Sequence, residues 1–136
     1  MSWQTSLVKI ADYEVEQLRK RLAAVLDRRA EAELRLAGLH VEAQSETRRI
    51  AADADSGWYR LGYLEGWRSR RDQVMAELAE LASEEAGARD ALTHAFEELK
   101  KYEQIAENAV MRARAADAKL ETAAMDELGG RRLASR

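Results

Sequence analysis

Apolar residues recur at alternating steps of three and four over nearly the whole chain, and no other feature narrows the possible folds as much. Counting in sevens from Gln4 gives Gln4, Ala11, Leu18, Val25, Ala32, Leu39 and Glu46; from Val8 it gives Val8, Val15, Leu22, Arg29, Leu36, Ala43 and Ile50. Eleven of these fourteen residues are apolar, which marks a coiled-coil seam of d and a positions sustained over seven heptads. A second seam follows. One row runs Trp67, Val74, Leu81, Ala88, Ala95, Tyr102, Ala109, Ala116, Ala123, and the other Leu64, Arg71, Leu78, Glu85, Leu92, Leu99, Ala106, Ala113, Leu120. Sixteen of these eighteen are apolar. The exceptions that matter later are Arg29, Glu46, Arg71 and Glu85.

Composition agrees with a thin helical assembly. The 136 residues contain no proline, so nothing forbids very long helices. Charged residues make up 35% of the chain, and much of the apolar content is Ala, with a single Phe. One apolar stripe per helix fits this profile better than a globular core. Acid-first pairs such as Glu16/Lys20 and Glu31/Arg35 support the helix between seam positions. Toward the C-terminus the seam turns Ala-rich, and Ala removes little apolar surface per layer, so the last turns are expected to fray.

Around Asp53, Gly57 and Arg60 the apolar pattern fails, and Asp53-Ala-Asp-Ser-Gly57 combines cap-forming with helix-weakening residues. A reversal there predicts an all-α fold: a long two-helix antiparallel coiled-coil hairpin with the C-terminal helix longer. In this reading residues 1–136 form a single coiled-coil domain. Helix one spans about 3–55, the turn about 56–58, helix two about 59–128, and a frayed tail 129–136. The heptad phase is the same on both sides of the break. That would follow automatically if one unbroken helix, roughly 190 Å long at 1.5 Å per residue, dimerised with a second copy, so this alternative stands beside the hairpin.

Charge and motif content exclude several classes. Cysteine is absent, which removes disulfides and thiolate metal sites. The first twenty residues carry Asp12, Glu14 and Glu16, and no apolar run approaches the roughly 20 residues of a membrane span, so a cytoplasmic protein without direct membrane insertion is expected. A net charge of -3 with interleaved signs offers no field for nucleic acid. His40 and His94 stand alone, and Glu84-Glu85 and Glu97-Glu98 read as solvated faces, since a two-helix coil encloses no pocket to shift a carboxyl pKa. No phosphate loop, nucleophile elbow or metal spacing occurs. Neither an enzyme nor a cofactor-binding protein is expected.

Two groups of residues suggest contacts with other proteins. The segment from Trp58 to Trp67 holds four of the eight aromatic residues, with Tyr59, Tyr63 and Trp67 at helical spacing beside Gly62 and Gly66. These side chains either plug the end of the hairpin or form a docking surface among Arg60, Arg68, Arg70 and Arg71. Trp67 lies on the seam and reads as core, whereas Trp58, Tyr59 and Tyr63 lie off it. Near the termini, Trp3, Ile10 and Tyr13 fall at outward c and f positions, and Met111 and Met125 at f. Singly such exposure is common; as a group it suggests a partner.

The opening LVKIADYEVEQLRKRL (Leu7 to Leu22), the closing YEQIAE (Tyr102 to Glu107), MDEL (Met125 to Leu128) and Arg131-Arg132 together resemble the flagellar export protein FliJ family. The resemblance implies a single antiparallel helical hairpin of similar length, a non-enzymatic stalk-like component of the flagellar type III protein export apparatus. It further implies a protein that binds the export ATPase hexamer and links it to the export gate membrane protein, with export chaperones as further candidate partners. On that reading it sits in the cytoplasm, peripherally associated with the flagellar basal body at the inner membrane. Trp3, Ile10, Tyr13, Met111 and Met125 become candidates for ATPase contact, and Trp58, Tyr59, Tyr63 and Arg68 candidates for the second partner. The aromatic segment itself matches no motif of the family. A homo-oligomeric structural coiled coil and a secretion chaperone are the competing functional readings.

Overall fold

In the computed structural model, which describes residues 2–134, two long helices run antiparallel and pack as a hairpin. Helix α1 spans Trp3–Ala52 and helix α2 spans Arg60–Ala134, joined by a 3-10 segment over Ala54–Tyr59. The first is capped by its own sequence: the Ser2 hydroxyl accepts from the Thr5 amide at 3.2 Å, and the Ser2 carbonyl accepts the first helical bond from Ser6 at 3.1 Å. The last bond of α1 runs from the Asp53 amide to the Arg49 carbonyl at 3.2 Å. Asp53 then turns extended (φ -122°, ψ 108°), and its carboxylate accepts from the Asp55 amide at 3.1 Å. Capping by Asp53 ends α1 at Ala52, short of residue 55, and puts the reversal in Ala54–Tyr59. No residue there has positive φ, so the turn is made by the Asp cap without a left-handed glycine. Residues 129–134 of the expected tail are helical, and 135–136 lie outside the described residues.

The Cα trace divides into two compact units. One comprises Gln17–Leu92 and contains the turn. Its core is Val25, Ala32, Val74 and Leu81, flanked by half-buried Leu36, Leu39 and Leu78. Charged pairs set its register. Arg28 meets Glu84 at 3.0 Å, Arg35 meets Glu77 at 2.8 Å, and Glu42 meets Arg70 at 3.1 Å. Each step of seven along α1 is matched by a step of seven backward along α2. All six residues occupy the g position of their heptads, so the ladder is the g-to-g edge of an antiparallel pair.

The other unit joins the residues up to Glu16 with those from Thr93 onward. Here Ala11 and Val15 of α1 and Ala95 and Leu99 of α2 are buried, with Leu7, Val8, Tyr102, Ile105 and Ala106 half-buried around them. Coverage of α2 ends at Ala109. From Val110 to Ala134 every residue is exposed although the helix continues, so α2 overhangs its partner.

Candidate interaction surfaces

The terminal candidates all belong to the unit that holds both chain ends. Trp3 (63% exposed), Ile10 (64%) and Tyr13 (67%) make a stripe on α1 that faces away from α2, as their c and f positions require. Met111 (60%) and Met125 (71%) are exposed at f positions of the α2 overhang, where every residue is exposed. Both methionines lie on the part of α2 beyond Ala109 that α1 does not cover, so the structure groups the three α1 residues together and the two methionines separately. A single continuous patch is not formed.

The aromatic segment is resolved into different tasks within the turn-containing unit. Trp67 is half-buried, and its Nε1–H donates to the Leu39 carbonyl of α1 at 2.7 Å. His40 meets its ring edge-on at 5.5 Å, and the Arg71 guanidinium lies over it at 5.3 Å. The indole therefore staples the helices together near the turn. Arg71, an exception on the apolar seam, is thereby accounted for: it serves as a lid on Trp67.

Tyr59 is held as well. Its hydroxyl accepts from Arg49 Nη2 at 2.7 Å and donates to Glu46 Oε1 at 3.2 Å, while Arg49 and Glu46 are themselves 2.6 Å apart. The Tyr59 hydroxyl and the charge of Glu46 hold the Arg49 guanidinium still more firmly protonated than usual. From the sequence Glu46 reads only as a gap in the seam and the Arg48-Arg49 pair as surface charge. A lone acid at a d position within a heptad of a turn rich in Tyr was the available signal.

Tyr63 is half-buried, and its Oη is buried without a hydrogen-bond partner among the described residues. Burial pushes its phenol above the ordinary range, the carboxylates of Glu42 and Glu46 add to this, and Arg70 opposes it. Beside it lies a recess of about 230 Å3 lined by Thr47, Ile50, Ala51, Arg60, Tyr63 and Leu64. What remains on the surface is Trp58, 85% exposed and edge-on to Tyr59 at 5.4 Å, together with Leu61 at 75%. Arg70 is bound to Glu42, whereas Arg68 is exposed with no ion pair among the described residues. Gly62 and Gly66 have open space where a Cβ would stand, so they mediate no close approach of backbones within the chain.

Among the described residues no group of three or more His, Cys, Asp or Glu is placed to hold a metal, and no helix is long and apolar enough to cross a membrane. No family model matches the chain. No solved structure matches it either. Among curated proteins, it is similar to the flagellar FliJ proteins of two Caulobacter vibrioides strains, NA1000 / CB15N and ATCC 19089 / CIP 103742 / CB 15. Each is 46% identical over 132 residues, covering 97% of this chain and 95% of the relative. With that identity over nearly the full length of both partners, and with the antiparallel two-helix fold, the chain belongs to the flagellar FliJ protein family, a non-enzymatic coiled-coil component of the flagellar export apparatus.

Proposed function

We propose that this protein is the stalk-like partner of the export ATPase, binding its hexameric ring in the cytoplasm and linking it to the membrane protein of the export gate at the basal body. The observation that carries the reading is the exposed large apolar side chains of the terminal unit: the stripe Trp3, Ile10 and Tyr13 on α1, and Met111 and Met125 on the α2 overhang. None of these contributes to the seam, and a partner that covered them would bury apolar surface that the hairpin leaves in solvent. Two separate patches, one on α1 and one on the α2 overhang, suit a coil surrounded by ring subunits, which would grip it at more than one place. Such an asymmetric coil favours some subunit interfaces over others, and a ligand shifts an equilibrium only by its differential affinity for the states.

The turn then serves the second partner, through Trp58 and Arg68 directly and through Tyr59 and Tyr63 as the residues that shape the surface beneath them. Export chaperones are further candidate partners. The test is stimulation of the purified ATPase. Ile10→Asp combined with Met125→Asp should abolish stimulation while helical content is retained, since lost anchors cost about 2 kcal/mol or more in binding. Trp58→Ala with Arg68→Ala should preserve stimulation and reduce export in cells. The reverse pattern would exchange the two assignments.

A further inference from the structure

The seam does not stop where α1 stops covering it. Beyond Ala109 the same a and d rows continue through Ala113, Ala116, Leu120 and Ala123, all exposed, with Leu120 at 70%. From the self-complementary charges beside this stripe we infer that it pairs antiparallel with the same stripe of a second copy.

The hairpin supplies the pairing rule. Its flanking edge brings g against g, as Arg28, Arg35 and Glu42 meet Glu84, Glu77 and Arg70. On the overhang the g positions include Lys119 and Asp126, and the e positions include Asp117 and Arg131. When two overhangs are set antiparallel about Ala123 in the hairpin's own geometry, Lys119 of each faces Asp126 of the other. On the opposite edge Asp117 of each faces Arg131 of the other. All four contacts join opposite charges, which an isologous two-fold interface doubles from two choices of residue.

Lys119, Asp117 and Asp126 have no ion pair among the described residues, and Arg131 has only an exposed helical neighbour, Glu127, at 3.0 Å. Along the seam, Ala123 meets its own copy and Ala116 meets Gly130, so the backbones can approach closely. Leu120 lies against the aliphatic stem of Glu127. An interface this small and Ala-rich belongs to the transient class, below about 1,200 Å2. It uses the a and d stripe, so Met111 and Met125 at f stay outward.

The experiment uses the whole 136-residue chain, whose lack of cysteine makes it convenient. Ala123→Cys should form a disulfide-linked dimer under mild oxidation, because two Cα atoms on the axis of a close pair fall within bridging distance, about 4.4–6.8 Å. Ala118→Cys, at an outward f position, should not. Sedimentation should show reversible dimerisation with rising concentration. Lys119→Glu should weaken it about fivefold or more at low salt, and adding Asp126→Lys should restore it. A protein that stays monomeric at several hundred micromolar would leave this face to a different polypeptide and overturn the proposal. Equal cross-linking at both cysteines, preferential cross-linking through Leu120→Cys, or no rescue by the second reversal would overturn it too.

Discussion

Arg29 and Glu85, the residues that interrupt the apolar seam in the middle of each helix, are bonded to each other across the hairpin, Nη1 to Oε1 at 3.1 Å. Both occupy a positions. Arg29 also reaches Glu33 on its own helix at 3.1 Å, and Arg89 approaches Glu85 at 3.8 Å. Bonding to Glu33 first, and then to Glu85, holds the Arg29 guanidinium even more firmly charged than usual. The Glu85 side chain is only 17% exposed whereas that of Arg29 is 46% exposed. The carboxylate thus depends on the pair more than the guanidinium does.

This asymmetry predicts unequal single-mutant effects. Arg29→Ala, which strands a partly covered carboxylate, should lower the melting temperature more than Arg28→Ala, whose partner Glu84 is 44% exposed. Replacing both Arg29 and Glu85 with Leu should leave the melting temperature unchanged or raise it, because a continuous apolar seam needs no desolvated charge. Thermal melts followed by circular dichroism would measure both. A large loss in the double variant would mean the pair is indispensable.

Core substitutions should scale with coverage. Leu81 is 1% exposed in the cluster with Val25, Ala32 and Val74, so Leu81→Ala should cost about 2–4 kcal/mol. Leu22 and Leu36 sit on the same seam but are half-buried, so their Ala variants should fall at the lower end of that range. Urea denaturation would rank them.

Tyr63 links stability to alkaline pH. Its folded-state pKa is raised, because burial opposes the phenolate. The stability it contributes is therefore complete below the ordinary value of about 10 and is lost as pH rises through the higher folded value. Tyr63→Phe should remove this part of the alkaline loss. At neutral pH it should be neutral or stabilising, since the hydroxyl it deletes has no hydrogen-bond partner among the described residues. Tyr59→Phe should instead lower the melting temperature, because that hydroxyl bonds both Arg49 and Glu46. Melts across pH 8–11, a range set by the tyrosine value of about 10, would separate the two.

Gly62 and Gly66 offer a gain. Both are helical, neither has positive φ, and an added Cβ would meet nothing within 4 Å. Each Gly→Ala change should stabilise α2 by about 0.5–1 kcal/mol, measurable by urea denaturation. If export falls while stability rises, the open glycine face is part of the contact made near the turn.

The heptad rows determined which residues would be covered. Every row position from Gln4 to Ile50 except Arg29, and every one from Leu64 to Ala109, is buried or half-buried. This was legible because helical period and apolar spacing are local properties, readable one turn at a time. The region Asp53 to Arg60 was likewise legible as a break, since an Asx cap acts on amides two or three residues away, although the expected helix ran on to residue 55 and the structure ends it at Ala52.

Whether the two seams face each other or a second chain is not a local property, and the unchanged phase across the turn left both options open. The tertiary structure decided it through the edges of the seam. In a parallel pair of unbroken helices a g residue faces the e position five residues on, which would set Arg35 against His40 and Glu42 against Thr47. In the antiparallel hairpin the same residues meet Glu77 and Arg70. Contact surfaces needed the fold for the same reason. Tyr59, Tyr63 and Trp58 look alike as spaced aromatics, and only α1 tells them apart: Glu46 and Arg49 bond Tyr59, Thr47, Ile50 and Ala51 line the recess beside Tyr63, and Trp58 is left in solvent. Sequence spacing sets the angle at which a side chain leaves its helix; what it meets depends on a residue distant in the chain, brought near by packing.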